Sequence, residues 1–240
     1  MIAQGQLVGP VQMPTDNTHH QKHSRTRIKF CGFTRKEDID TALSLGADAL
    51  GFVFYPKSKR YLTPAQAGQL TRHLPPFVST LALFVDPEPA FVKEVISAMH
   101  PSLLQFHGDE DAQFCDSFDW PYLKAFRVGA PGMDSPDSLQ ASCLRFSNAS
   151  GWLFDSYTPA YGGSGHSFDR SLLSHVMANP SSRPVILSGG LTPENVQAQV
   201  EALRPWAVDV SSGIEEAPGI KSARKMALFA QAVRLADNKV

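Results

Sequence analysis

The sequence predicts a single-domain α/β protein, a (β/α)8 barrel of the TIM type. Three observations lead there. From residue 27 onward, short β-branched or aromatic runs alternate with longer segments of helical periodicity. The runs number eight, more than an open doubly wound sheet usually carries. Each intervening segment is long enough for a right-handed crossover between parallel strands.

The candidate strands are "RIKFC" (27–31), "ALGFVF" (49–54), "STLALFV" (79–85), "LLQFH" (103–107), "YLKAFRV" (122–128), "WLFDS" (152–156), "PVILSG" (184–189) and "WAVDVSS" (206–212). The first helix follows in "KEDIDTALSLG", which Gly46 stops, and the second in "TPAQAGQLTRHL", with Thr63 as cap and Pro64 in the first position. Then come "PEPAFVKEVISAM", "DEDAQFCDSF", "SPDSLQASCLRFS", "DRSLLSHVMA", "TPENVQAQVEAL" and a last helix near 220–236. Residues 1–26 are polar and read as a mobile extension ahead of a catalytic domain at 27–240, with metal binding by His19, His20 and His23 near its end as the lesser alternative.

Composition narrows the function. A formal net charge of −1 gives the molecule no overall attraction to nucleic acid or an anionic membrane, so an anionic ligand must be held locally. Three scattered cysteines, Cys31, Cys115 and Cys143, make no disulfide framework or zinc motif. The amino-terminal stretch lacks the apolar run of a signal peptide, and nowhere do about 18 apolar residues run together. A soluble cytoplasmic protein is expected, and a monomer, since this length buries an adequate core alone.

In such a barrel, chemistry gathers where strands end. Side chains alternate along a strand, so Ile28 and Phe30 face the helices while Lys29 and Cys31 face inward. The same parity sends Trp152 and Phe154 outward and Asp155 inward, making thiol and carboxyl face each other across the mouth. Read alone, Cys31 is a small core residue, since free cysteine is among the most buried types. Asp155 needs a partner or a use, because an unpaired buried carboxylate is costly; capping its loop is the alternative.

Gln105 points inward and His107 sits at the rim, where either would orient the loop. Arg60, in a loop with Lys57 and Lys59, is a solvated cation or a fork for a ligand carboxylate. Lys29 and Asp209, inward on the first and last strands, should meet as an ion pair when the barrel closes. Glycine-rich turns after the last three strands, with Gly163 and Gly165, with Ser188, Gly189 and Gly190, and with Ser211, Ser212 and Gly213, can close backbone N–H groups around a phosphate. A sugar-phosphate substrate is the expected small-molecule partner.

Taken together, "IKFCGFT", "GFVFYPKSKRYLT", "LLQFHGDE", "FDSYTPAYGGSGHSFD", "LSGGLTPENV" and "DVSSGIEEAPGIK" resemble the phosphoribosylanthranilate isomerases, over about residues 27–236 and in order. The resemblance implies a cofactor-free Amadori rearrangement in tryptophan biosynthesis, with Cys31 as general base, Asp155 as general acid, Arg60 on the anthranilate carboxylate and the glycine turns on the phosphate. Lys29 beneath the thiol is expected to favour the thiolate. Phe30 and Phe33 stand where that family more often has aliphatic residues, and Arg170 where it often has tryptophan. A phosphate-binding barrel without turnover and a related indole-glycerol-phosphate synthase compete with this reading. The paired Cys31 and Asp155 argue against the first, and the absence of strand-end lysine and glutamates against the second.

Overall fold

Eight strands pair in parallel and in chain order: β1 (Arg27–Cys31), β2 (Ala49–Val53), β3 (Ser79–Phe84), β4 (Leu103–Phe106), β5 (Tyr122–Val128), β6 (Gly151–Ser156), β7 (Val185–Leu187) and β8 (Ala207–Val210). β8 returns to β1, with Lys29 opposite Asp209, and the barrel closes. The computed structural model describes residues 24–157 and 168–239. Outside the strands lie α1 (Lys36–Ser44), α2 (Pro64–Thr71), α3 (Pro89–Met99), α4 (Ala112–Asp116), α5 (Pro136–Leu144), α6 (Ser174–Ala178), α7 (Val196–Leu203) and α8 (Ala223–Asp237).

Local chemistry explains where the helices depart from their periodicity. At α2 the Thr63 hydroxyl accepts from the Gln66 N–H and the Gln66 side chain returns to the Thr63 N–H, a reciprocal cap that leaves Pro64 in the first turn, where its missing donor costs nothing. This helix stops at Thr71, short of the expected Leu74, ahead of Pro75 and Pro76. α7 starts late, at Val196, because the Asn195 side chain ties Thr192 N–H (2.9 Å) and Gly190 O (2.8 Å) into a turn. The expected helix at 169–178 begins as a 3-10 turn over Arg170–Leu173, capped by Asp169 on the Ser171 N–H, before α6.

The core has two layers, as strand parity dictates. Outward residues make a continuous sheath with the helices: Phe30 meets Phe229 of α8 edge-on at 6.0 Å, Phe54 stacks on Phe84 at 5.6 Å, and Phe126 on Phe154 at 5.6 Å. Phe33, fully buried, packs against Phe52 at 6.4 Å in the same sheath. Each such ring contributes about 1.5–3 kcal/mol by leaving water, so truncating Phe30 costs roughly 3–5 kcal/mol. Inside the barrel Leu81, Leu123, Ala125, Leu153, Ile186 and Ala207 fill the lower half.

Two residues assigned to the extension belong to the barrel floor. Arg25 forks onto Asp48 (2.5 and 2.8 Å), and Thr26 is fixed to Asp237 through its N–H (2.9 Å) and hydroxyl (2.8 Å). His19, His20 and His23 lie outside the described residues. Among the described residues, no helix is long and apolar enough to cross a membrane.

Candidate active site

The strand ends surround an open cleft of about 750 Å³, lined among others by Cys31, Arg60, His107 and Asp155. The turns Ser188–Gly190 and Ser211–Gly213 form another wall. The structure thus brings together most of the side chains singled out in the sequence. Gly163 and Gly165 lie outside the described residues, and Gln105 is fully buried behind His107.

Cys31 ends β1 with its side chain inward, nearly fully buried. The neighbouring position on β2 is Gly51, where any Cβ would come within 2.6 Å of the Cys31 sulfur, so the thiol occupies space that another residue would fill. Beneath it Lys29 Nζ donates to Asp209 Oδ1 at 2.7 Å, and the Ser188 hydroxyl donates to Asp209 Oδ2 at 3.3 Å. Burial pulls the Lys29 ammonium down, but Asp209 and Cys31 together outweigh it and leave its pKa raised.

The thiol behaves otherwise than expected. Burial pushes the Cys31 pKa up, and Lys29, its charge engaged by Asp209, only partly opposes this. The resting site therefore favours the neutral thiol, and the positive charge that would favour a thiolate must come partly from a bound ligand.

Asp155 lies one residue before the end of β6 and is about a quarter exposed to the cleft. Its Oδ1 accepts from the Ser156 N–H at 2.8 Å; its Oδ2 lies 3.2 Å from His107 Nε2. His107 Nδ1 in turn lies 3.0 Å from Gln105 Nε2. The tautomer that accepts the amide at Nδ1 places its Nε2–H toward Asp155, which would link the three residues in one oriented chain. The cost is visible: among the described residues Gln105 Oε1 is buried without a partner.

Arg60 is neither solvated nor an open fork. Its Nε and Nη2 donate to the two oxygens of Glu215 at 2.7 and 2.5 Å, leaving the Nη1 edge without a partner among the described residues. Lys57 and Lys59 of the same loop are exposed. Glu215 also accepts from Lys221 Nζ at 2.8 Å, and that ammonium donates to Cys31 O at 2.5 Å and Ser211 O at 3.2 Å. Burial works to raise the Glu215 pKa, but Arg60 and Lys221 together leave it lowered.

Glu215 and Lys221 were missed in the sequence. They sit on a small antiparallel hairpin, β9 (Glu215–Ala217) and β10 (Ile220–Lys221), whose one signal is the Pro218–Gly219 pair between them.

The Ser188–Gly190 turn has two successive left-handed residues, Gly189 at φ 77° and Gly190 at φ 64°. A Cβ on Gly189 would also meet Ser156 N at 2.6 Å and Asp155 Oδ1 at 2.9 Å, so no other residue fits there. Behind this turn stands Arg170, which the sequence marked only as a departure in packing. It stacks over Phe168 with 4.0 Å to the ring centroid. Its guanidinium donates to Ser188 O (3.2 Å), Gly189 O (3.0 Å) and Gln199 Oε1 (3.1 Å).

Fold and cleft together define a (β/α)8 barrel of the enzyme type, with a carboxyl, a thiol and an arginine lining one mouth beside glycine-rich turns. A model of the N-(5'-phosphoribosyl)anthranilate isomerase family matches residues 28–232. The chain is 54% identical over 213 residues to the N-(5'-phosphoribosyl)anthranilate isomerase of Bordetella parapertussis, covering 89% of this chain and 98% of that one. With the Dechloromonas aromatica enzyme of the same name it shares 47% over 218 residues, covering 90% and 100%.

Among solved structures, phosphoribosyl anthranilate isomerase from Thermotoga maritima aligns with a TM-score of 0.78 at 38% identity, covering 87% of this chain and 98% of that one. A phosphoribosyl anthranilate isomerase in complex with reduced 1-(o-carboxyphenylamino)-1-deoxyribulose 5-phosphate aligns at 0.75 and 35% identity, covering 87% and 98%. The chain belongs to the phosphoribosylanthranilate isomerase family, enzymes of tryptophan biosynthesis that isomerise an aldose to a ketose.

Proposed function

We propose that the chain converts N-(5-phosphoribosyl)anthranilate to 1-(2-carboxyphenylamino)-1-deoxyribulose 5-phosphate, with Asp155 as general acid and Cys31 as general base. The observation that carries this reading is that a carboxyl and a thiol, from β6 and β1, line one cleft together with an arginine and two glycine-rich turns.

The chemistry runs in two proton transfers. A protonated Asp155 gives its proton to the ribose ring oxygen as the ring opens, and the anthranilate nitrogen supplies the electrons that form a protonated Schiff base. That cation acidifies the C2 proton and lies beside Cys31, where its charge offsets the desolvation that otherwise keeps the thiol neutral. The thiolate takes the C2 proton, the electrons flow to nitrogen, and the enolamine tautomerises to the ketone. His107, donating to Asp155 Oδ2, holds the carboxyl in one orientation through both forms.

Arg60 presents its Nη1 edge to the anthranilate carboxylate, Glu215 holding the other edge. The turns at Ser188–Gly190 and Ser211–Gly213, with Gly163 and Gly165, take the phosphate. We further place the enzyme in the cytoplasm as a monomer acting on a small molecule.

The test is the loss of anthranilate-type fluorescence when the purified protein meets freshly generated phosphoribosylanthranilate, alongside Cys31→Ser and Asp155→Asn. Rapid loss with wild type and a rate lowered by about 10²–10⁴ in each variant is expected. No loss with folded wild type overturns the reading.

A further inference from the structure

Arg170 occupies an unusual position for a partly buried cation. Its hydrogen-bond acceptors are two backbone carbonyls and a glutamine amide, all neutral. No carboxylate lies within salt-bridge distance of it among the described residues. A partly buried charge whose carboxylate neighbour, Asp155, acts on it only from beyond hydrogen-bond reach is costly, and a methionine or leucine would cover Phe168 without that cost. Its use lies in what the two carbonyls belong to.

Ser188 O and the Gly189 N–H are the two ends of one peptide group, and Gly189 O and the Gly190 N–H are the ends of the next. In a trans peptide these ends point in opposite directions. Fixing both carbonyls on Arg170 therefore turns both N–H groups away from it, toward the cleft that Ser188, Gly189 and Gly190 line. The next peptide is fixed separately, since Gly190 O accepts from the Asn195 side chain at 2.8 Å. The N–H groups of Gly189, Gly190 and Leu191 donate to no other described residue. Two donors, the N–H groups of Gly189 and Gly190, are left turned from Arg170 toward the cleft, with its positive charge behind them.

We propose that Arg170 is a positioning residue for the phosphate end of the substrate: it locks two peptides of the Ser188–Gly190 turn with their N–H groups toward the cleft and backs them with its charge. This rests on the reading of that turn as a phosphate site. Arg170 does not line the cleft, so its effect passes through the peptide groups and not through contact with the ligand.

The test uses the full chain as wild type, Arg170→Met and Arg170→Lys, with inorganic phosphate as the probe. The phosphate dissociation constant is measured by thermal shift and by competition against the substrate, with KM and kcat alongside. Arg170→Met should weaken phosphate about ten- to a hundredfold and raise KM in step, with kcat within a factor of about three, while Arg170→Lys keeps part of the affinity. Phosphate binding as tight in folded Arg170→Met as in wild type overturns the proposal. If Arg170→Met does not fold, Arg170→Lys decides: unweakened binding overturns the proposal, and a measurable loss supports it. Wild type that binds no phosphate overturns both this proposal and the phosphate site. Arg170-dependent phosphate binding without turnover supports this proposal and removes only the proposed reaction.

Discussion

Lys29 and Asp209 face each other in register on the first and last strands of the barrel, with Nζ 2.7 Å from Oδ1 and both side chains less than a tenth exposed. The pair spans the seam where the barrel closes, directly beneath the Cys31 thiol. Replacing Asp209 by asparagine leaves a buried ammonium without its counter-ion and should cost about 3–5 kcal/mol in urea unfolding. Because the Lys29 pKa is raised in the folded state, its contribution is complete below the unfolded value of about 10.5 and is lost as pH climbs through the folded one. Alkaline unfolding of wild type should therefore show a loss that Asp209→Asn lacks.

The raised pKa of Cys31 sets the shape of the pH–rate profile. A base works only when deprotonated, and kcat/KM reports the groups of the free enzyme. kcat/KM should thus keep climbing with pH through 8 and 9, well beyond a group of neutral pKa, and Cys31→Ser should lose this limb along with most of its turnover. A plateau reached near pH 7 would contradict the burial of a neutral thiol.

Gln105 gains little stability from its place, since one of its buried amide atoms has no partner among the described residues. Gln105→Met should leave the urea midpoint within about 1 kcal/mol of wild type. Turnover is another matter. Without the amide on Nδ1, His107 can adopt the tautomer whose Nε2 no longer donates to Asp155, so kcat should fall about tenfold with KM nearly unchanged.

Glu215→Gln tests the mount of Arg60. Losing the charge that both Arg60 and Lys221 face should cost about 3 kcal/mol and raise KM about tenfold, as the Nη1 edge is no longer aimed. The Glu215 pKa is lowered in the folded state, so its contribution is present above about pH 4.5 and fades as pH falls through the folded value. A profile of melting temperature against pH should be flatter in the variant over that acid range.

Much of this was legible in the chain itself. The eight strands were visible because both faces of each are constrained, outward toward helices and inward toward the core, and a period of two cannot slip by one residue without inverting every side chain. That is why parity alone placed Cys31, Asp155, Lys29 and Asp209 inside. What remained hidden depended on contacts without a local period. Arg60 and Glu215 are 155 residues apart, and the hairpin carrying Glu215 has strands of three and two residues, too short for any alternation to register. Arg170 looked like a packing change because its acceptors are backbone carbonyls, which every residue carries.

The hairpin also fixes when the enzyme comes into being. Lys221 grips the backbone of Cys31 across 190 residues of chain. At about 5–20 residues per second of synthesis, the strand bearing the thiol is made roughly ten to forty seconds before the lysine that holds it. A nascent chain that ends before Lys221 carries every group assigned to the proton transfers, yet has neither the clamp on its first strand nor α8 to cover Phe30. Until Lys221 is made, the strand that bears the thiol waits without its clamp.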